Sequence, residues 1–319
     1  MMTDLAALED AVELVHAVIQ PTAQICWPLL SERCDAEVWV KHENHTPIGA
    51  FKVRGGLLYT DHLTKSEPGV TGVIAATRGN HGQSVAFAAW RMGLEAVIVV
   101  PHGNSVEKNA AMRALGAELV EHGHDFQAAL EYARGLAEER GLHMFPSFHP
   151  LLVRGVASYA LEFFHAVPEL DTVYVPIGMG SGISGVIAAR DALGLKTKVT
   201  GVVSGNAPTY ALSFAQGEPV STNSADTMAD GLACRVPVKE AVETINHGAE
   251  RVVTVSDDEI RAAMRHYFTD THNVAEGAGA APLAALLKER DKIAGRRVGL
   301  VLSGGNVDRE VYRAVLAEA

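Results

Sequence analysis

The chain has 319 residues, enough for about two compact domains or one large α/β unit with a nested lobe. An apolar fraction of 48% excludes a disordered chain, and 38 acidic against 27 basic residues, a formal charge of −11, oppose binding to nucleic acid or an anionic membrane. Three cysteines without metal-ligand spacing argue against a disulfide framework or a zinc site, and neither a membrane-length apolar stretch nor a basic secretory leader is present, so a reducing cytoplasm and small-molecule partners are expected.

EVWVKH (37–42) alternates like a strand and runs into ENHTPIGAFKVRGG (43–56). Lys52 there stands between Phe51 and a helix start, where desolvation lowers a lysine's pKa and frees the neutral amine for imine chemistry with an aldehyde. Taken alone, such a segment more often holds a surface lysine at a helix N-terminus. VIAA (73–76) is a strand buried on both faces, and ATRGNHGQS (76–84) follows it. Asn80 offers an amide and His81 a ring beside Gly79 and Gly82, which would let a carboxylate approach the backbone; a helix capped by Asn80 fits the same residues.

AVIVVP (96–101) is the next buried strand. SVEKNAAMRAL (105–115) is a helix capped by Ser105 and stopped by Gly116, and DFQAALEYARGLAEER (125–140) is another that ends before Gly141. VYVPIG (173–178) hands over to PIGMGSGISG (176–185), whose Gly178, Gly180, Gly182 and Gly185 allow backbone N–H groups to point inward at the start of a helix, a site for a phosphate. The Lys-Ser/Thr ending of a nucleotide loop is missing, and after VTGVV (199–203) comes Ser204 rather than the acidic residue of a dinucleotide fold. VGLVLS (298–303) leads into LSGGNVD (302–308), where the Ser303 hydroxyl can meet a heterocyclic nitrogen or simply begin a Ser-Gly-Gly turn. Strands alternating with helices predict parallel sheets with their ligand-binding loops along one edge.

In combination, the A-F-K-V-R-G segment, the G-N-H-G-Q loop, the glycine-rich loop and the late S-G-G-N resemble the fold-type II pyridoxal-phosphate enzymes, most of all their threonine and serine dehydratase branch. The resemblance runs from about Pro21 to Asp308. It implies an α/β, two-lobed, tryptophan synthase β-like architecture of open parallel sheets flanked by helices. The small domain would be 51–151 and the large cofactor-binding domain 1–50 with 152–319, in a homodimer. It implies pyridoxal 5'-phosphate as cofactor, with Lys52 forming the imine and taking the α-proton, and Phe51 beside it. Asn80 would bond the ring hydroxyl, Gly178, Met179, Gly180, Ser181 and Gly182 would cup the phosphate, and Ser303 would meet the pyridine nitrogen. Thr77, Arg78, Gly79, Asn80 and His81 would hold the substrate's α-carboxylate, and EGAGA (276–280) resembles a segment lining the cofactor. The reaction implied is loss of water and then ammonia from a β-hydroxy amino acid, giving a 2-oxo acid; threonine, serine, 3-hydroxyaspartate and 3-phenylserine all satisfy it.

The departures from that branch bear on the substrate. Ala50 and Arg78 stand where serine is common, and Arg154 precedes a glycine that resembles a substrate-side turn, so that a pair of arginines could read a second anionic group, as in a 3-hydroxyaspartate dehydratase. Arg78 stays protonated at neutral pH, which disfavours an amino-acid racemase, and an inactive pyridoxal-phosphate-binding homologue is opposed by the intact Lys52. Val203 and Thr209 fall at the positions of that branch's metal carboxylates, so no metal is expected. The short stretch after the S-G-G-N segment suggests an unregulated, catabolic enzyme.

Overall fold

The computed structural model describes residues 4–318, and its ten strands form two sheets. The six-stranded sheet has the order β1-β2-β10-β7-β8-β9, built from β1 (Gln24–Cys26), β2 (Glu37–His42), β7 (Thr172–Pro176), β8 (Lys198–Ser204), β9 (Arg251–Val255) and β10 (Arg297–Leu302). The four-stranded sheet has the order β5-β4-β3-β6, from β3 (Gly72–Ala76), β4 (Glu95–Val100), β5 (Glu118–Glu121) and β6 (His143–Met144). All pairings are parallel except β1 with β2. The smaller sheet is thus drawn from one continuous stretch of chain, and the larger from the segments on either side of it. The fold class expected from alternating strands and helices is the one observed.

The apolar runs lie where the sheets are covered on both faces. β3 is buried along its whole length, β4, β8 and β10 are buried beyond their first residue, and β7 is buried up to its last. Strands at or near the sheet edges, such as β5 (ELVE) and β9 (RVVTV), keep exposed or half-exposed residues and carry charges that blunt edge pairing. The helix Val106–Ala114 is capped by Ser105, whose side chain accepts from the Lys108 N–H, and Phe126–Arg140 is capped by Asp125 and ends at left-handed Gly141.

The helix Lys52–Ser66 packs on both Asn80–Met92 and Pro150–Ala166. Close contact with the latter depends on Gly155, where a Cβ would lie 2.5 Å from the Arg54 carbonyl oxygen. Arg54, wholly buried, ties the same helix to the turn after β2 and to the helix Pro150–Ala166 through two carboxylates. It donates to Glu43 at 2.7 and 3.0 Å and to Glu162 at 2.5 and 3.1 Å. Lys41 on β2 also donates to Glu162, at 2.5 Å. Burial works to raise the Glu162 carboxyl, but Arg54 and then Lys41 outweigh it and hold the pKa at about 2. Lys52, two residues from Arg54, therefore begins a helix that cannot shift without breaking a desolvated ion network.

Candidate active site

A cleft gathers the strand-to-helix loops of both sheets. It is lined by Phe51, Lys52, Thr77, Arg78, Gly79, Asn80, His81, Gly178, Met179, Gly180, Ser181, Gly182 and Ser303, so all but one of the site residues expected from the sequence meet in a single cavity. Arg154 is the exception. Its helix is held by Gly155 against the backbone of Arg54 and Gly55, so the glycine that resembled a substrate-side turn serves helix packing, and Arg154 does not line the cleft.

Lys52 opens its helix, and the Phe51 N–H before it donates to the Ser303 carbonyl at 3.0 Å, joining the lysine loop to the end of β10. The Lys52 Nζ donates to the Ser181 hydroxyl at 3.1 Å and lies 5.0 Å from the centre of the Phe51 ring. The side chain is half-buried, with the cavity beside it, and this desolvation lowers the amine's pKa from 10.5 to about 8. Burial likewise pushes His81 down to about 3, with a smaller push from Lys52, so its ring is neutral. Among the described residues, a hydroxyl is thus within hydrogen-bond reach of Lys52, and no carboxylate that would hold the amine charged.

The glycine-rich loop ends in Gly180, whose φ of +95° is a left-handed conformation that side chains resist. The helix Ser181–Ala192 begins there with no side-chain cap, leaving its first N–H groups for a ligand and its positive end facing the cleft. The loop itself is pinned by the Tyr210 hydroxyl, which donates to the Met179 carbonyl at 3.0 Å, and by the Tyr159 hydroxyl, which donates to Gly182 at 3.2 Å. Such a frame suits a phosphate.

In the other anion loop, the Thr77 hydroxyl oxygen accepts from the N–H groups of Gly79 at 2.9 Å and Gly82 at 3.2 Å, which shapes the turn. Gly79, not Asn80, precedes the helix Asn80–Met92, so Asn80 is free of the capping role that the sequence left open. Its amide nitrogen donates to Glu276 at 2.6 Å and its oxygen accepts from Asn306 at 2.9 Å. Arg78 reaches the cleft wall from an exposed position. Val203 is buried, and the Thr209 hydroxyl donates to the Cys234 carbonyl at 2.7 Å.

Sequence reasoning missed Lys108 and Asp230. Lys108 lies on the buried face of its helix, one turn before Met112, and that placement of a lysine on an apolar stripe was the available signal. Its ammonium meets Asp230 at 2.6 Å and Glu276 at 3.2 Å on the cleft wall. Burial opposes the Lys108 charge, but the two carboxylates raise its pKa above the usual lysine range, while burial pushes Glu276 upward against the pull of Lys108. Asp230 belongs to a short helical turn, Asp230–Leu232, in a stretch without periodicity, and nothing in the sequence marked it.

Residues 15–304 match the family described as Pyridoxal-phosphate dependent enzyme. The chain belongs to that family. It is 34% identical over 308 residues to an L-threonine ammonia-lyase from Thermotoga maritima, covering 96% of this chain and 76% of that protein. Against a biosynthetic L-threonine dehydratase from Haemophilus influenzae the identity is 34% over 289 residues, 90% of this chain, which spans only 56% of that longer protein. Among solved structures, a pyridoxal 5'-phosphate-dependent aspartate racemase superposes with a TM-score of 0.91 at 29% identity, covering 97% of both chains. The cofactor of this pyridoxal-phosphate enzyme is pyridoxal phosphate, and by its sequence relatives it is of the lyase kind. The cleft fits that group: a desolvated amine, an uncapped helix start and the neutral Ser303 hydroxyl line one cavity. Among the described residues no helix is long and apolar enough to cross a membrane.

Proposed function

We propose that this pyridoxal-phosphate enzyme removes water and then ammonia from a β-hydroxy amino acid with an uncharged β-substituent, giving a 2-oxo acid. The observation that carries the reading is the Lys52 amine, desolvated to a pKa of about 8 and hydrogen-bonded to Ser181 at the open start of a helix. Pyridoxal phosphate, when bound, supplies an aldehyde for the substrate amine and a conjugated ring that accepts electrons from Cα. Gly178, Met179, Gly180, Ser181 and Gly182 would hold its phosphate on backbone N–H groups, Asn80 would donate to the ring oxygen, and Ser303 would meet the ring nitrogen. The loop from Thr77 to His81, with Arg78, receives the α-carboxylate. Lys52, neutral above its lowered pKa, takes the proton from Cα. A hydroxyl at the ring nitrogen gives less electron withdrawal than a carboxylic acid would, which suits prompt departure of a β-hydroxyl.

The uncharged substituent is supported by the remaining cleft wall. Phe126, Met179, Leu232, Ala233 and Cys234 are there, burial pushes the Cys234 thiol up to about 12, and the Lys108 charge is already matched by Asp230 and Glu276. Arg78 is the cation left for a carboxylate, and one arginine suffices for the α-carboxylate.

The test compares kcat/KM for threonine, 3-phenylserine and 3-hydroxyaspartate in wild type and Arg78→Ala, scoring both 2-oxo acid and D-amino acid. Threonine or 3-phenylserine should lead, with 2-oxo acid as product. A wild-type lead for 3-hydroxyaspartate, with a fall in Arg78→Ala more than tenfold larger than that of threonine, the scale of about 2–5 kcal/mol expected for a desolvated charge pair, overturns the uncharged substituent. A dominant D-amino acid product overturns the lyase reading in favour of the racemase chemistry named for the structural neighbour.

A further inference from the structure

The S-G-G-N segment contributes a residue with no role so far. Asn306 donates from its side-chain nitrogen to the Ile48 carbonyl at 2.8 Å and to the Asn80 side-chain oxygen at 2.9 Å. A backbone carbonyl can only accept, so Ile48 decides which end of the Asn306 amide is nitrogen. The second N–H of that nitrogen then requires an oxygen from Asn80. The Asn80 nitrogen is turned the other way, and it donates to Glu276 at 2.6 Å. With its oxygen spent on Asn306 and one N–H spent on Glu276, Asn80 keeps a single N–H for the cavity it lines. Gly49 supports the arrangement: at φ +67° it passes so close that a Cβ would lie 2.6 Å from the Asn306 side-chain oxygen.

We propose that Asn306 is a positioning residue that copies the polarity of the Ile48 carbonyl onto the Asn80 amide, so that an N–H and never a carbonyl oxygen meets the ring oxygen of the cofactor. The proposal rests on the cofactor and on Asn80 facing its ring oxygen, and it is read without substrate, so it can fail while the deamination reading stands, and the reverse. An N–H donated to an oxygen favours the deprotonated oxygen. Turning the amide over would present a lone pair there and favour the protonated form.

Asn306→Asp removes both donors and places an acceptor against Asn80, whose amide then turns to donate to it. The loaded protein should shift from the visible absorbance band toward the near-ultraviolet form with a protonated ring oxygen. The ratio of the two forms should change by about tenfold, the weight of one hydrogen bond to a charged oxygen. Asn306→Ala, which frees Asn80 without reversing it, should shift the same ratio less. A folded Asn306→Asp protein with the wild-type spectrum overturns the proposal, as does an equal shift in the two variants, since mere loss of support would not distinguish aspartate from alanine. If the variants do not fold, a neutron crystal structure of the loaded wild type, which tells amide nitrogen from oxygen, decides. Asn306 must bridge Ile48 and Asn80, with the Asn80 nitrogen in hydrogen-bond reach of the ring oxygen, and a nitrogen out of that reach overturns it.

Discussion

Arg54 and Lys108 are both buried cations set between two carboxylates, yet they are put to different uses. Neither Arg54 nor its partners Glu43 and Glu162 lines the cleft, whereas Lys108, Asp230 and Glu276 all do. The guanidinium, a rigid planar fork, satisfies both of its carboxylates through several bonds and locks the Lys52 helix to the turn after β2 and to the helix Pro150–Ala166. The ammonium is a point charge, and it joins the helix after β4 to the Asp230 turn and to the carboxylate that supports Asn80. Desolvated charge thus holds the frame in one place and arranges the reacting wall in the other.

The largest effect on stability should come from Arg54→Met, which leaves Glu43 and Glu162 buried, Glu162 with Lys41 and the His16 ring still beside it. Breaking such a network costs about 3–5 kcal/mol, read by denaturant unfolding of the cofactor-free protein. Lys108→Met should destabilise less, because Asp230 can rehydrate at the cleft, and should instead weaken cofactor binding in a titration of the cofactor-free protein. If the two variants lose equal stability and cofactor affinity is unchanged in Lys108→Met, the distinction between frame and wall is broken.

Acid sharpens the same comparison. The Glu162 carboxyl is held at about 2 against an ordinary 4.5, so its contribution is complete above 4.5 and is lost as pH falls from there toward 2. Wild-type stability should therefore decline through that window, and the decline should be shallower in Glu162→Gln. The smallest effect is kinetic. Lys52 reacts as the neutral amine, so cofactor uptake by the cofactor-free protein should quicken with pH and level off above about 8. A profile still rising steeply toward pH 10.5, the amine's ordinary value, would mean that Lys52 is solvated.

The parts legible in the sequence were those with local signatures. β3, β4, β7, β8 and β10 stand out as apolar runs because they are covered on both faces, and Lys52, Asn80, Ser303 and the glycine-rich loop stand out because each carries its own turn chemistry. β9 and β5, half-exposed near the sheet edges, lack that continuity. Lys108 and Asp230 escaped for a different reason: 122 residues separate them, and their meaning exists only once the fold brings both to one cleft wall. Arg154 misled because a glycine after an arginine reads alike whether it lets in a substrate or another helix, and only the contact with Arg54 decides.

The central claim, that Lys52 holds pyridoxal phosphate and moves the substrate proton, is tested most directly by the Lys52→Ala protein beside wild type, each given cofactor, treated with borohydride and assayed for 2-oxo acid. Wild type should become irreversibly labelled at Lys52 and lose activity, while Lys52→Ala keeps the circular dichroism and unfolding midpoint of the cofactor-free wild type, takes no covalent label and shows no turnover above background. A folded Lys52→Ala protein that releases 2-oxo acid at near wild-type rates, or a wild-type label on another lysine, would contradict it.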